Sequence, residues 1–185
     1  MTKILFNKSG TSVNISQEDQ KININTFLKE MYYELELDYP KFFKMDNLCK
    51  LGVIGTEFLV RKNINLFKHK LKIGIIIQNK SSSLDSDLRH QKGIENNTVS
   101  PAVFVYTLPN IVIGEISIKY KWQSEGVFFV DKEIDYELLS QYSNILINKR
   151  RTEINIIGWI ELLKDQCSLK LYLIDGHVTA LDLEK

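Results

Sequence analysis

The chain has 185 residues, 44% of them hydrophobic and 25% charged, with a formal net charge of +1. That length suits one domain with a sizeable core, and the composition excludes a disordered chain. The near-zero charge excludes a general attraction to nucleic acid or to an anionic membrane.

Lys3 to Phe6 reads as a strand, closed by Asn7-Lys8-Ser9-Gly10, which is turn chemistry. Thr11 to Asn25 is polar with isolated Val13, Ile15, Ile22 and Ile24, and reads as a hairpin or an irregular excursion. The spacing of Phe27, Met31 and Leu35 predicts a short helix from Thr26 that ends before Pro40. Phe42 to Arg61 is a stronger helix, with Met45, Leu48, Cys49, Gly52, Thr56, Leu59 and Val60 at helical spacing. Gly52 and Gly55 would each weaken an isolated helix by about 1 kcal/mol relative to Ala, so they point to close packing on another element. Lys62 to Lys70 is a polar connection, and Ile73 to Gln78 is the nearly continuous apolar run of a strand covered on both faces. Asn79 to Thr98 is loop-like, with a helical turn at Asp85 to Gln91.

Ser100 to Val130 organises the chain. It opens with Ser-Pro and an apolar run, Ala102 to Leu108, and places Pro109 where a first helical residue would sit. The following helix sets Val112, Ile113, Ile116 and Tyr120 on one face, and Glu115 and Lys119 one turn apart on the other. After Gly126, Val127 to Val130 reads as a short buried strand. Glu133 to Asn148 is an amphipathic helix with Ile134, Leu138, Tyr142, Ile145 and Leu146 on its apolar side. Ile154 to Leu162 and Ser168 to Ile174 are further strands, followed by an Asp175-Gly176 turn and an extended tail. Strands alternating with helices imply an α/β fold with a mostly parallel five-stranded sheet flanked by helices.

Several segments together resemble the first half of the β-ketoacyl-ACP synthases, the condensing enzymes of the thiolase fold. The similarity lies in Ser100-Pro101, Leu108-Pro109-Asn110, Gly114-Glu115 and Gly126, taken in that order. Upstream, Lys44-Met45-Asp46 with Leu48, Leu51 and Gly52 is similar to the family's early helix. Ile73-Gly74-Ile75-Ile76 with Ser83-Leu84-Asp85-Ser86-Asp87 is similar to its second strand and loop. The match runs roughly from Pro40 to Asp175. It implies a single truncated ketosynthase-like domain over residues 1–185, the N-terminal half of a thiolase fold.

The family's nucleophilic cysteine stands where a strand meets the next helix, whose N-terminus stabilises the thiolate. Here that position falls within Glu133, Ile134 and Asp135, and none of them is a cysteine. The family's second half, with its two histidines, lies beyond the span that this chain covers. Glu133 and Asp135 read first as acids favoured by a helix start, and only secondarily as catalytic carboxylates. Cys49 reads as a small hydrophobe on a helix face and Cys167 as a turn residue; a thiol-dependent acyltransferase using either is the rival enzyme reading. His69, His90 and His177 lie in separate polar segments without metal-site spacing, so no metal and no cofactor is expected. Ser81-Ser82-Ser83 lacks the glycine pattern of a phosphate loop. Lys149-Arg150-Arg151 sits at a helix C-terminus, where cations are favoured; contact with an acidic carrier protein is the lesser reading.

The resemblance implies a non-catalytic subunit of the chain-length-factor type. Its expected partner is a full-length ketosynthase, in polyketide, aryl-polyene or specialised fatty acyl synthesis, with an acyl carrier protein as a further contact. A homodimeric acyl-binding scaffold is the alternative. The implied interface residues are Pro101, Phe104, Asn110, Trp122, Val127, Phe128, Phe129 and Val130. Phe104, Tyr106, Leu108 and Ile111 are implied to gate the partner's acyl tunnel. Two cysteines form no disulfide framework, and no apolar run completes a signal peptide or a membrane span, so a cytoplasmic protein is expected.

Overall fold

The computed structural model describes residues 2–6, 12–17, 23–68 and 72–184. The expected turn at residues 7–10 and His69 lie outside the described residues. Six strands form one sheet: β1 (Thr2–Phe6), β2 (Ser12–Gln17), β3 (Ile73–Asn79), β4 (Gly126–Val130), β5 (Ile154–Leu163) and β6 (Gln166–Ile174), in the order β1-β2-β6-β5-β3-β4. The five expected strands are all present, and β2 is added to them. The sheet is mixed, which corrects the expected mostly parallel arrangement. Among the described residues only β3 with β4 and β3 with β5 are parallel pairs; β5 with β6, β6 with β2 and β2 with β1 are antiparallel. Lys164 and Asp165 join β5 to β6, with Lys164 at φ 57°, and so short a link returns the chain antiparallel.

One face of the sheet carries α1 (Ile24–Glu34), α2 (Asn47–Lys62) and α6 (Ile111–Tyr120) over the larger core, which includes Ile54, Leu59, Ile75, Ile77, Ile116 and Ile156. The other face carries α7 (Tyr136–Asn148) and α8 (Ala180–Glu184) over Ile76, Leu139, Leu146, Ile157, Tyr172 and Leu183. Every residue of β3 is buried, as its unbroken apolar run requires. A Cβ on Gly52 would come within 2.6 Å of Val112, and one on Gly55 within 2.4 Å of Leu169. These glycines let α2 lie close against α6 and the sheet, as the sequence indicated. Gly158 in β5 holds φ 146°, where a Cβ would stand 2.0 Å from the Lys170 carbonyl oxygen of β6.

Several boundaries move. Pro40–Lys44 is a separate 3-10 turn, and α2 starts only after Asp46, whose side chain accepts from the Cys49 N–H at 2.9 Å. A one-turn helix, α3 (Ile64–Phe67), interrupts the expected polar connection. The expected turn at Asp85 is a twelve-residue helix, α4 (Leu84–Glu95), and the tail expected to be extended holds α8. The run after Ser100 is a short helix, α5 (Pro101–Val105), so Pro101 takes the first helical turn rather than Pro109.

The buried side of α7 also differs from the expected stripe. Leu139, Ser140, Ser143 and Leu146 face inward, while Ile145 is 47% exposed and Leu138 is half-buried. Asn155, fully buried in β5, explains the rotation: its amide donates to the Ser143 carbonyl oxygen at 3.1 Å and to the Ser143 hydroxyl at 2.8 Å. A buried amide must be paired, and that requirement draws the serine side of α7 onto the sheet.

Candidate functional site

The site is the end of the sheet where β4 stands, together with the β4–α7 junction. Among the described residues β4 pairs only with β3, which leaves its outer edge unpaired, and Val130 is 56% exposed. The buried strand expected at Val127 to Val130 is thus an edge strand, its residues exposed or half-buried. Alternation sends Phe128 to the larger core, and Val127 and Phe129 to the opposite face. Phe129 meets Tyr142 of α7 edge-on, with ring centroids 5.7 Å apart. An open edge strand is a template for pairing with another chain.

At the junction, the position sought for a nucleophile is taken up with starting a helix. Glu133 is exposed and Ile134 half-buried. Asp135 caps α7, its carboxylate accepting from the Leu138 N–H at 2.9 Å. The N–H of Asp135 itself donates to the side-chain oxygen of Gln78 at 2.9 Å. Gln78 is fully buried at the end of β3 and was missed by the sequence reading. The signal was there: a glutamine closing an otherwise apolar buried run needs a polar partner. Next to it, Asn79 brackets Ser82 with two hydrogen bonds of 2.8 Å, and the Glu161 carboxylate accepts from the N–H groups of Lys80 and Ser81 at 2.7 and 3.0 Å.

The four residues implied to gate a tunnel divide into two pairs. Phe104 and Leu108 lie on the surface, 56% and 52% exposed, in an apolar stretch that also includes Val105. The Phe104 ring sits 5.4 Å from that of His90 on α4. Tyr106 and Ile111 instead pack against the larger core. The Tyr106 hydroxyl donates to Glu115 at 3.1 Å, and Glu115, itself buried, pairs with Lys41 at 2.7 Å. Burial and the Glu115 carboxylate push the Tyr106 phenol well above its ordinary range, so it stays a neutral donor.

Of the other implied interface residues, Pro101 and Asn110 are exposed, the latter at the start of α6. Trp122 is only 7% exposed, stacked against Phe67 and Tyr120 at 5.4 and 4.6 Å. Its ring is consumed by the chain's own core, which withdraws it from the exposed surface.

Neither thiol is placed for nucleophilic work. Cys49 is buried in α2, where desolvation and then the nearby Asp46 carboxylate push its pKa well up. Burial pushes Cys167 up to about 11. Among the described residues no three histidine, cysteine or acidic side chains gather in a way that could hold a metal ion. None of the described helices is long and apolar enough to cross a membrane.

No family model and no curated protein matches the sequence. Solved structures do match. The ishigamide ketosynthase/chain length factor superposes with a TM-score of 0.64 and 15% identity, over 76% of this chain and 46% of that one. A ketosynthase (ApeO) in complex with its chain length factor (ApeC) from Xenorhabdus doucetiae matches with a TM-score of 0.59 and 11% identity, over 96% of this chain and 79% of that one. AntDE:AntF, a type II PKS acyl-carrier protein in complex with its ketosynthase, matches with a TM-score of 0.61 and 12% identity, over 82% of this chain and 58% of that one. The chain thus spans about half the length of the first of these. Its fold is the thiolase-like fold of ketosynthase and chain length factor structures, as the sequence resemblance implied.

Proposed function

We propose that this protein is a non-catalytic, chain-length-factor-type subunit that pairs through its β4 edge with an active β-ketoacyl-ACP synthase in the cytoplasm. The observation that carries this reading is the β4–α7 junction. A condensing enzyme needs a thiolate there. This chain has Asp135 as a helix cap, held by the buried Gln78. The pairing edge beside it is open and carries Phe128 and Phe129 in alternation. Catalysis is absent from the position while the association surface is retained, which fits a subunit whose work is pairing.

The named likenesses support the same reading. Two of them contain a ketosynthase with a chain length factor, and one contains an acyl-carrier protein. In the X. doucetiae complex, 96% of this short chain accounts for 79% of the matched chain, so that chain is not much longer than this one. Phe104 and Leu108, exposed in the segment that leads into α6, would then meet the partner and limit the growing acyl chain. The pathway would be polyketide, aryl-polyene or specialised fatty acyl synthesis on an acyl carrier protein.

The test is co-expression with a β-ketoacyl-ACP synthase, followed by co-purification and product analysis with malonyl and acyl carrier-protein substrates. The expected result is a heterodimer whose product lengthens with Phe104→Ala, while this chain alone gives no condensation. Turnover by this chain alone, or a synthase whose product is the same length with and without it, would refute the proposal.

A further inference from the structure

The N-terminal ends of the three parallel strands carry a second feature, at the far ends of those strands from Asp135 and Gln78. Lys72 precedes β3, Gln123 to Glu125 precede β4, and Arg150 and Arg151 lead towards β5. Together they line a cleft of about 390 Å³. Its walls are tied by hydrogen bonds. The Ser124 hydroxyl donates to the Arg151 carbonyl oxygen at 3.1 Å, the Ile75 N–H to the Glu125 carbonyl oxygen at 3.1 Å, and the Glu153 N–H to the Lys72 carbonyl oxygen at 2.8 Å.

The charges do not balance inside it. The single carboxylate, Glu125, is engaged by Arg151, whose Nε donates to it at 2.8 Å and whose Nη2 also contacts it. Among the described residues no acidic side chain pairs with Lys72 or Arg150. Three cations against one anion leave two positive charges facing one cleft, in a chain whose net charge is only +1. A guanidinium offers a planar fork that fits phosphate oxygens, and an ammonium adds a movable point charge. The cleft is larger than a phosphate ion needs, which leaves room for an organic portion beside the charged group.

We infer that this cleft binds the phosphate dianion of a small phosphate monoester, with Lys72 and Arg150 as the charged ligands and Arg151 held in place by Glu125. The inference does not rest on the pairing function, because it is argued from the charges that line the cleft.

The test is calorimetric titration of the full chain, with its synthase partner where one is needed for solubility, using phenyl phosphate, inorganic phosphate and succinate. Phenyl phosphate is expected to bind saturably and tighter than inorganic phosphate, with succinate weakest. Arg150→Glu, an exposed position whose folding is checked by circular dichroism, should weaken phenyl phosphate about tenfold or more, and Lys72→Glu likewise. Lack of saturable binding at millimolar phenyl phosphate would overturn the assignment. So would unchanged affinity in both variants, or succinate binding as tightly as the phosphates.

Discussion

The backbone N–H of Asp135 is held 2.9 Å from the side-chain oxygen of the fully buried Gln78, so the first turn of α7 is tied to the end of β3. This bond crosses the junction at which the resemblance places a nucleophile. It accounts for Asp135 by helix initiation.

Helix initiation is therefore what substitutions at Asp135 should perturb. Asp135→Ala removes the bond from Leu138 N–H and should cost about 1 kcal/mol, whereas Asp135→Asn should cost much less, since asparagine caps as well. Urea unfolding of the three proteins measures this. Equal stability of the alanine variant and the parent would mean that the cap contributes nothing.

The edge of β4 should be the association surface. Phe129 supports the chain's own fold through Tyr142, so a charge there would disturb the monomer as well as any complex. Val130, more than half exposed, is the cleaner probe. Val130→Lys should leave the thermal midpoint nearly unchanged and abolish co-purification with the synthase. Retention of the complex by this variant would move the interface elsewhere.

Both thiols should be slow to alkylate in the folded protein. With Cys167 at about 11, roughly one such group in a thousand is ionised at pH 8, and Cys49 is buried deeper still. Iodoacetamide labelling followed by mass spectrometry should show little modification until denaturant is added. Rapid labelling of either cysteine in the native state would revive the thiol-enzyme reading.

Acid stability should depend on Glu57. Burial pushes its carboxyl up, but hydrogen bonds from Lys119 at 2.5 Å, Tyr120 at 2.5 Å and Arg61 at 2.7 Å outweigh that and hold it below its ordinary value of 4.5. A carboxyl with a depressed folded pKa stabilises the fold fully above its unfolded pKa. That stabilisation is lost as pH falls through the folded pKa. Unfolding free energy should therefore drop as pH falls below about 4.5, and Glu57→Gln should flatten that limb. At pH 7 the variant should be less stable by about 1–3 kcal/mol, because Lys119 loses its charged partner. An acid limb of unchanged slope in the variant would show that another carboxylate governs it.

Gly158 should tolerate no side chain. An alanine there would need φ near 146° and would collide with the Lys170 carbonyl oxygen, so Gly158→Ala should disrupt the β5–β6 pairing. A variant that melts with the parent would contradict this geometry.

The sequence by itself determined the α/β class, five of the strands, the close approach of α2 marked by Gly52 and Gly55, and the lack of a cysteine at the β4–α7 junction. These follow from periodicity, residue size and identity, which are local properties of the chain. The tertiary structure alone decided which side of each element is buried and which strand stands at an edge. The apolar stripe of α7 pointed to Leu138 and Ile145, yet Asn155, twelve residues on from Ser143 and in a different element, turned Ser143 inward because a buried amide must find a partner. Val127 to Val130 read as a buried strand because four apolar residues look alike at the centre and at the edge of a sheet. Trp122 read as an interface residue, but its place between Phe67 and Tyr120 depends on segments more than fifty residues apart meeting in space. The antiparallel return of β6 on β5 came from one short link at Lys164 and Asp165, where backbone geometry reverses the strand in a way that alternating helices and strands do not reveal.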